Sequence, residues 1–181
     1  LPLEINFKPM NTNQPWLDSY APNIPHQIDM TEHQSIVSIL DKAIDKYSDR
    51  PAFANFGKQL TYNEINILST QFANYLIHEL KLKKGERIAI MMPNVLQYPI
   101  AIFGALRAGL TVVNTNPMYT ARELKHHYDF FFATVLIVME NFASTAQEII
   151  HETKVKQVIT TTVGEMLGIK GSVINFMLKH I

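Results

Sequence analysis

Gly104-x-x-x-x-Gly109 has the glycine spacing that opens a phosphate-binding loop. Such a loop needs a following Lys and a Ser or Thr, whose amine and hydroxyl meet the phosphates and their metal. Here Leu110-Thr111 follow, and the segment falls inside a helical pattern. A packing role is expected instead, with Gly109 ending the helix. Gly164, Gly168 and Gly171 come after a strand pattern but lack the close glycine pair of a dinucleotide turn. His126 and His127 are adjacent. Helical neighbours point to different faces, so they cannot share one metal ion, and a solvated helix surface is expected. Glu148 and Glu152 stand one helical turn apart, but no cation or apolar pocket is implied beside them. Their expected place is a wet helix face. No Ser-His-Asp grouping can be assembled from one sequence without geometry. No catalytic residue and no metal ligand is therefore assigned.

Composition narrows the field. The 181 residues suffice for one α/β domain with a buried core. Hydrophobic residues make up 47% and charged residues 18%, a globular balance. Sixteen basic side chains face sixteen acidic ones, so no global field draws nucleic acid, and no nucleic-acid partner is expected. The absence of cysteine excludes disulfides and thiolate chemistry and fits a cytoplasmic protein. No signal-peptide pattern opens the chain, and no uncharged apolar run is long enough to span a bilayer. Arg107 interrupts the longest apolar stretch, which reads as a buried helix. The chain begins with Leu1 and not with Met, so trimming is expected.

The elements that would position these residues follow from patterning. Residues 1–34 hold Pro2, Pro9, Pro15, Pro22 and Pro25 and read as an extended arm without regular structure. A helix follows, with Ile36, Val37, Ile39, Leu40, Ala43, Ile44 and Tyr47 on one face. Asn55 to Lys58 predicts a tight hairpin turn. Thr61-Tyr62-Asn63-Glu64 and Thr120-Ala121-Arg122-Glu123 are capping boxes that open helices. Ile65, Leu68, Phe72 and Leu76 form the expected buried stripe of the first. Strands are predicted near 87–92, 111–114, 134–139 and 157–163, with helices near 95–108, 120–128 and 141–152 between them. Strands alternating with helices imply βαβ units: an α/β fold with a mostly parallel sheet and flanking helices.

Three stretches carry a resemblance. They are Leu82 to Asn94 with its Met-Met-Pro-Asn end, Gln97 to Gly109, and Val112 to Leu124 with Asn116-Pro117-Met118-Tyr119-Thr120. Together they resemble the N-terminal subdomain of the adenylate-forming enzymes, in the variant of the bacterial long-chain acyl-CoA synthetases. Pro51-Ala52-Phe53, Leu60-Thr61-Tyr62 and Lys170 to Phe176 fit the same pattern, which covers the chain from about Trp16. The resemblance implies that fatty acid and Mg-ATP give an acyl adenylate, from which CoA displaces AMP. ATP, Mg and CoA are the implied cofactors, and long-chain fatty acid is the implied substrate. Relatives hold the phosphates with a Ser/Thr/Gly-rich loop ending in Lys, and use a second Lys on a mobile C-terminal domain. Neither is found in this sequence, and Thr160-Thr161-Thr162-Val163-Gly164 reads better as a strand end. The chain is expected to cover about the first third of such an enzyme and to be inactive by itself. The resemblance also places Asn116 and Tyr119 beside the CoA channel, although Asn-Pro also makes an ordinary turn before a helix cap. The rival readings are a non-catalytic α/β binding or scaffold module and another adenylating enzyme, such as an aryl-CoA ligase or a peptide synthetase module.

Phe130-Phe131-Phe132 departs from relatives, and three consecutive rings cannot all face one core. Either the helix runs further or one ring packs elsewhere. The subdomain is expected over residues 35–163. Residues 164–181 form an amphipathic segment, with Val173, Ile174, Met177, Leu178 and Ile181 on one face and Ser172, Asn175 and Lys179 opposite. Lys170 and Lys179 against Glu165 leave one positive charge. This pattern leaves two expectations: the face packs on the remainder of the enzyme, or residues 165–181 contact the inner face of the membrane peripherally.

Overall fold

The computed structural model describes residues 14–29 and 31–178, and only the backbone of Pro15, Asp18 and Phe130. The predicted prolines Pro2 and Pro9, and Lys179 and Ile181 of the C-terminal face, lie outside the described residues. Contacts divide the chain between Gln34 and Ser35. In the first unit a 3-10 turn, Pro15–Ser19, starts at a proline, and the rings of Tyr20 and His26 meet edge to face.

The second unit begins with α1 (Ile36–Tyr47), capped reciprocally by Ser35 and Ser38. Strands β1 (Pro51–Asn55) and β2 (Lys58–Thr61) make an antiparallel hairpin outside the main sheet. Its turn places Phe56 at φ 48° and Gly57 at φ 79°. Positive φ at both central residues matches the twist of the two strands. Thr61 then caps α2 (Tyr62–Asn74), with the reciprocal Glu64 bond that the sequence pattern predicts.

The main sheet holds β3 (Arg87–Met91), β4 (Thr111–Asn114), β5 (Val135–Met139) and β6 (Gln157–Thr161), all parallel, in the order β4-β3-β5-β6. Between them run α3 (Gln97–Arg107), α4 (Ala121–Phe131) and α5 (Ala143–Ile149), and α6 (Ile169–Leu178) closes the described chain. Alternate residues of β3 and β5 feed two cores. Ile88, Ile90, Val135, Ile137 and Met139 pack with Leu76, in the π-helical turn Tyr75–Glu79 that continues α2, and with Ala101 and Ala105 of α3. Ala89, Met91, Leu136 and Val138 pack with Leu124 and Tyr128 of α4 and with Ala146 and Ile149 of α5. Each fully buried aliphatic side chain contributes about 1.5–3 kcal/mol.

Helix α3 has no exposed residue, as its apolar sequence predicts. Arg107 fits there because its head reaches the edge: Nη2 donates to Asp41 Oδ1 at 2.7 Å and to Asn66 Oδ1 at 3.1 Å. The stem lies among apolar neighbours while the charge links α1, α2 and α3. Gly109 has φ +73° and ends the helix, with Leu110 N donating to Ala105 O and Gly109 N to Leu106 O. This is the Schellman arrangement. Gly104 lies where α3 crosses α2. A Cβ there would stand 2.7 Å from Phe72 Cδ1 and 3.0 Å from the Ser69 carbonyl oxygen.

Four details depart from the sequence patterns. Helix α4 runs to Phe131, not Tyr128, and Phe132 closes it at φ 51° with Lys154 Nζ 4.1 Å from its ring centre. The helix over 141–152 is broken into Glu140–Phe142 (3-10), α5 and Ile150–Glu152 (3-10). Strand β6 stops at Thr161, because the amide and carbonyl of Thr162 are bonded to side chains. Leu68 and Phe72 are only half-buried, since they border an open cleft.

The α2–α3 crossing gives a test. Gly104→Val places methyl groups against Phe72 and the Ser69 carbonyl, and overpacking of this kind costs about 1–3 kcal/mol. The urea midpoint should fall accordingly, with the m-value unchanged. An unchanged midpoint would mean that the two helices can separate at no cost.

Candidate functional site

The loops at the carboxyl ends of the parallel strands are the places where an open α/β sheet exposes ligand-binding groups. From β3 the chain turns towards β4, and from β4 it crosses back to β5 on the other side of β3. Helices α3 and α4 therefore cover opposite faces, and the chain reverses direction between β3 and β5, the position where open α/β sheets place ligands.

Asn116 and Tyr119 lie in the loop after β4. Asn116 is exposed, but its Oδ1 accepts from the Met118 amide at 3.0 Å, and its carbonyl accepts from the Tyr119 amide at 3.2 Å. This is a self-contained Asx turn. Thr120 and Glu123 then cap α4 reciprocally, which holds the Glu123 carboxyl below its ordinary range. Tyr119 is half-buried against the α4 core, and Met118 at the tip is 77% exposed. The structure does not bring the Asn116 and Tyr119 side chains together in one cavity.

Tyr119 instead lines a hollow of about 340 Å³ with Glu123, His126, His127 and Phe131. His127 is not a solvated surface residue, as the sequence suggests. Its ring is half-buried and stands 5.6 Å from that of Tyr119 and 4.8 Å from that of Phe131, centre to centre. Its Nε2 is buried without a partner. Desolvation lowers its pKa from the ordinary 6.5. Behind it Tyr128 is fully buried, and burial pushes its phenol up to about 12.

Across the sheet, a second cleft of about 260 Å³ opens beside β6, bordered by Phe72, Met92, Ile100, Ile159 and Met166. Its polar end is a network that the sequence does not reveal. Gln97 Nε2 donates to Thr162 O at 2.7 Å and to Thr161 Oγ1 at 3.2 Å. The Thr161 hydroxyl and the Thr162 amide both donate to Glu165 Oε2. The Gly164 amide donates to Asn175 Oδ1 at 2.8 Å, and Asn175 Nδ2 donates to Thr162 Oγ1 at 2.9 Å. The amphipathic pattern put Asn175 on the side away from the apolar face, and its side chain turns inward to these partners, whereas Ser172 on the same side is exposed. Gly171 and Gly164 touch backbone to backbone, so α6 sits on the strand end by its small and polar side. Val173 and Met177, each 57% exposed, point outward. Glu148 and Glu152 are exposed, and Glu152 Oε2 lies 3.7 Å from Lys125 Nζ, so they form no carboxylate dyad.

Residues 40–174 match the family described as AMP-binding enzyme. The chain belongs to this family. It is 45% identical over 167 residues to a long-chain-fatty-acid–CoA ligase of Salmonella typhimurium, and 43% identical over 167 residues to one of Haemophilus influenzae. Each alignment covers 92% of this chain and 30% of the relative, so the chain spans about a third of the length of the curated relatives it matches. Among solved AMP-binding folds, a long-chain-fatty-acid-CoA ligase from Archaeoglobus fulgidus superposes with a TM-score of 0.64 at 25% identity, over 70% of this chain and 27% of that one. The N-terminal domain of FACL13 from Mycobacterium tuberculosis gives 0.66 at 22% identity, over 71% and 34%. The α/β fold with a parallel sheet and flanking helices is thus that of the N-terminal part of acyl-CoA ligases.

An AMP-binding family implies ATP, but the residues present do not fit its phosphates. In Thr160–Gly164 the hydroxyl of Thr161 and the amides of Thr162 and Gly164 already have acceptors, and the Glu165 carboxylate stands where an anion would have to bind. Among the described residues no cluster of three or more acidic or histidine side chains could hold a cation such as Mg.

The His127 nest has a measurable consequence. Because the folded ring resists protonation, the unfolded chain takes up the proton first. Stability is complete above the unfolded value of about 6.5 and is lost as pH falls through it towards the lower folded pKa. Melting temperatures from about pH 7.5 to about pH 5.5 should therefore drop less in His127→Phe than in the native chain. Equal drops would show that this ring is not the group responsible.

Proposed function

We propose that this chain is the N-terminal part of an enzyme that activates long-chain fatty acids with ATP and transfers the acyl group to CoA. The observation that carries the proposal is 45% identity over 92% of the chain to a long-chain-fatty-acid–CoA ligase. The reaction has a clear physical logic. A carboxylate is a poor acyl donor, and adenylation supplies a leaving group that a thiol can displace. Within that enzyme the described residues form a scaffold that presents loops at the carboxyl ends of β3, β4 and β5. The loop from Asn116 to Tyr119 borders the CoA channel, which suits its exposed tip and its place after β4. The chain by itself is inactive, because the donors at the end of β6 are engaged by Glu165 and Asn175 and the sequence has no phosphate loop ending in Lys. The purified 181-residue chain should release no pyrophosphate above a no-protein control, while the full-length protein should release it only with fatty acid present. Turnover by the chain alone would overturn its inactivity. A full-length protein that ignores long-chain acids would overturn the substrate.

The second part of the proposal concerns membranes. No helix among the described residues is long and apolar enough to cross one. Helix α6 presents Ile169, Val173 and Met177 outward, with Lys170 exposed beside them. We propose that this face rests peripherally on anionic lipid at the cytoplasmic, inner face of the membrane, where a poorly soluble substrate is concentrated. Val173→Ser with Met177→Ser leaves Gly171 and Asn175 in place and should abolish co-sedimentation with anionic vesicles. Unchanged sedimentation would exclude α6 as the contact.

A further inference from the structure

Strand β6 differs from the other strands of the main sheet. Every residue of β5 is buried, whereas in β6 Thr160 is exposed and Val158 is 47% exposed. Among the described residues β6 pairs with β5 alone, so one row of its amides and carbonyls has no ladder partner. Sheet edges that stay free are blunted by charge, by proline or by brevity. The opposite edge strand, β4, has only four residues, with exposed polar side chains at both ends, Thr111 and Asn114. Nothing of the kind protects β6. Gln157-Val158-Ile159-Thr160-Thr161 holds no charge and no proline, and four of its five residues are β-branched, which suits an inner strand.

The surroundings of this edge are also incomplete. The apolar cleft of about 260 Å³ opens against Ile159, with Phe72 of α2 and Met166 on its walls. Each end of the strand has a buried acceptor with no partner among the described residues. One is Gln157 Oε1 at its start. The other is Gln97 Oε1, whose amide nitrogen donates to Thr161 and Thr162 at its end. Buried acceptors are satisfied in native proteins, so donors belong beside them. We propose that β6 is an inner strand of the full-length protein, paired along its second edge by an extended segment from the part of the polypeptide that follows residue 181. This rests on the reading of the chain as the N-terminal part of a longer ligase, since it spans 30% of the relative's length. The segment carries apolar or β-branched residues on both faces. Those on the α3 side fill the cleft beside Ile159, and those on the other side cover Val158. Attachment to the same polypeptide gives the segment a high effective concentration at this edge, which a second copy lacks.

The experiment uses the full-length protein and reads amide hydrogen exchange from Val158 to Thr161. An edge strand protects every second amide, and an inner strand protects all of them. Uniform protection is expected, unchanged when the protein is diluted about tenfold. Alternating fast and slow amides would overturn the proposal. So would protection that weakens on dilution, because a second copy would then hold the edge. A photo-reactive benzophenone side chain in place of Thr160 identifies the occupant. Its cross-link should join β6 to residues beyond 181 of the same molecule. A cross-link between two molecules, or none, would overturn the proposal. Pyrophosphate release tests the ligase reading separately. A full-length protein inactive on fatty acids but uniformly protected would lose that reading and keep the added strand. An active protein with alternating exchange would do the reverse.

Discussion

Strands β3 and β5 lie side by side in the middle of the sheet, and their residues from Ile88 to Met91 and from Val135 to Met139 are buried on both faces. Parallel strands can be buried in this way only if helices cover each face, because a parallel connection must leave the sheet and return. The need for two covering layers places α2 and α3 on one side and α4 and α5 on the other. It also makes the β3–β4 and β4–β5 connections run in opposite directions across the sheet.

The two layers meet the sheet by different means. On the α3 side contact is close because residues are small: Gly104, Ala101 and Ala105 let α3 approach α2 and the sheet, and Arg107 carries its charge to the rim. On the α4 side contact is made by bulk. Tyr128 and Leu124 fill the space over Met91 and Ala89, with the phenol of Tyr128 donating to Met91 Sδ at 3.7 Å. A thick aromatic layer leaves room at its edge, and that room is the hollow where His127 and Tyr119 meet. The loop after β4 is thus shaped by side chains of α4 as much as by its own Asn116-Pro117 sequence.

At the far edge, β6 pairs with only one strand among the described residues, and Thr162 and Gly164 beyond it are held by side chains. Glu165 and Asn175 take the amides and hydroxyls of Thr161, Thr162 and Gly164. Two glycines in backbone contact bring α6 against this strand end, and the apolar residues of α6 are left facing out. That arrangement leaves apolar residues of α6 exposed, and it also occupies the donors of the strand end.

Local chemistry made much of this legible from the chain alone. The capping boxes at Thr61 and Thr120 depend on residues three apart, the hairpin on Phe56-Gly57, and the helix end at Gly109 on one left-handed residue. The buried strands declare themselves by continuous apolar runs. The end of α4 was not legible, because a Phe is a poor predictor of the left-handed closure that Phe132 adopts. The networks were hidden for a different reason. Gln97 meets Thr162 across 65 residues, and Asn175 turns inward because Gly164 is opposite Gly171. The burial of His127 against Tyr119, which lowers its pKa, depends on neighbours that periodicity does not rank. Sequence determined which elements form and in what order. Only the tertiary structure decided which polar groups are buried, since burial depends on partners brought together by the fold.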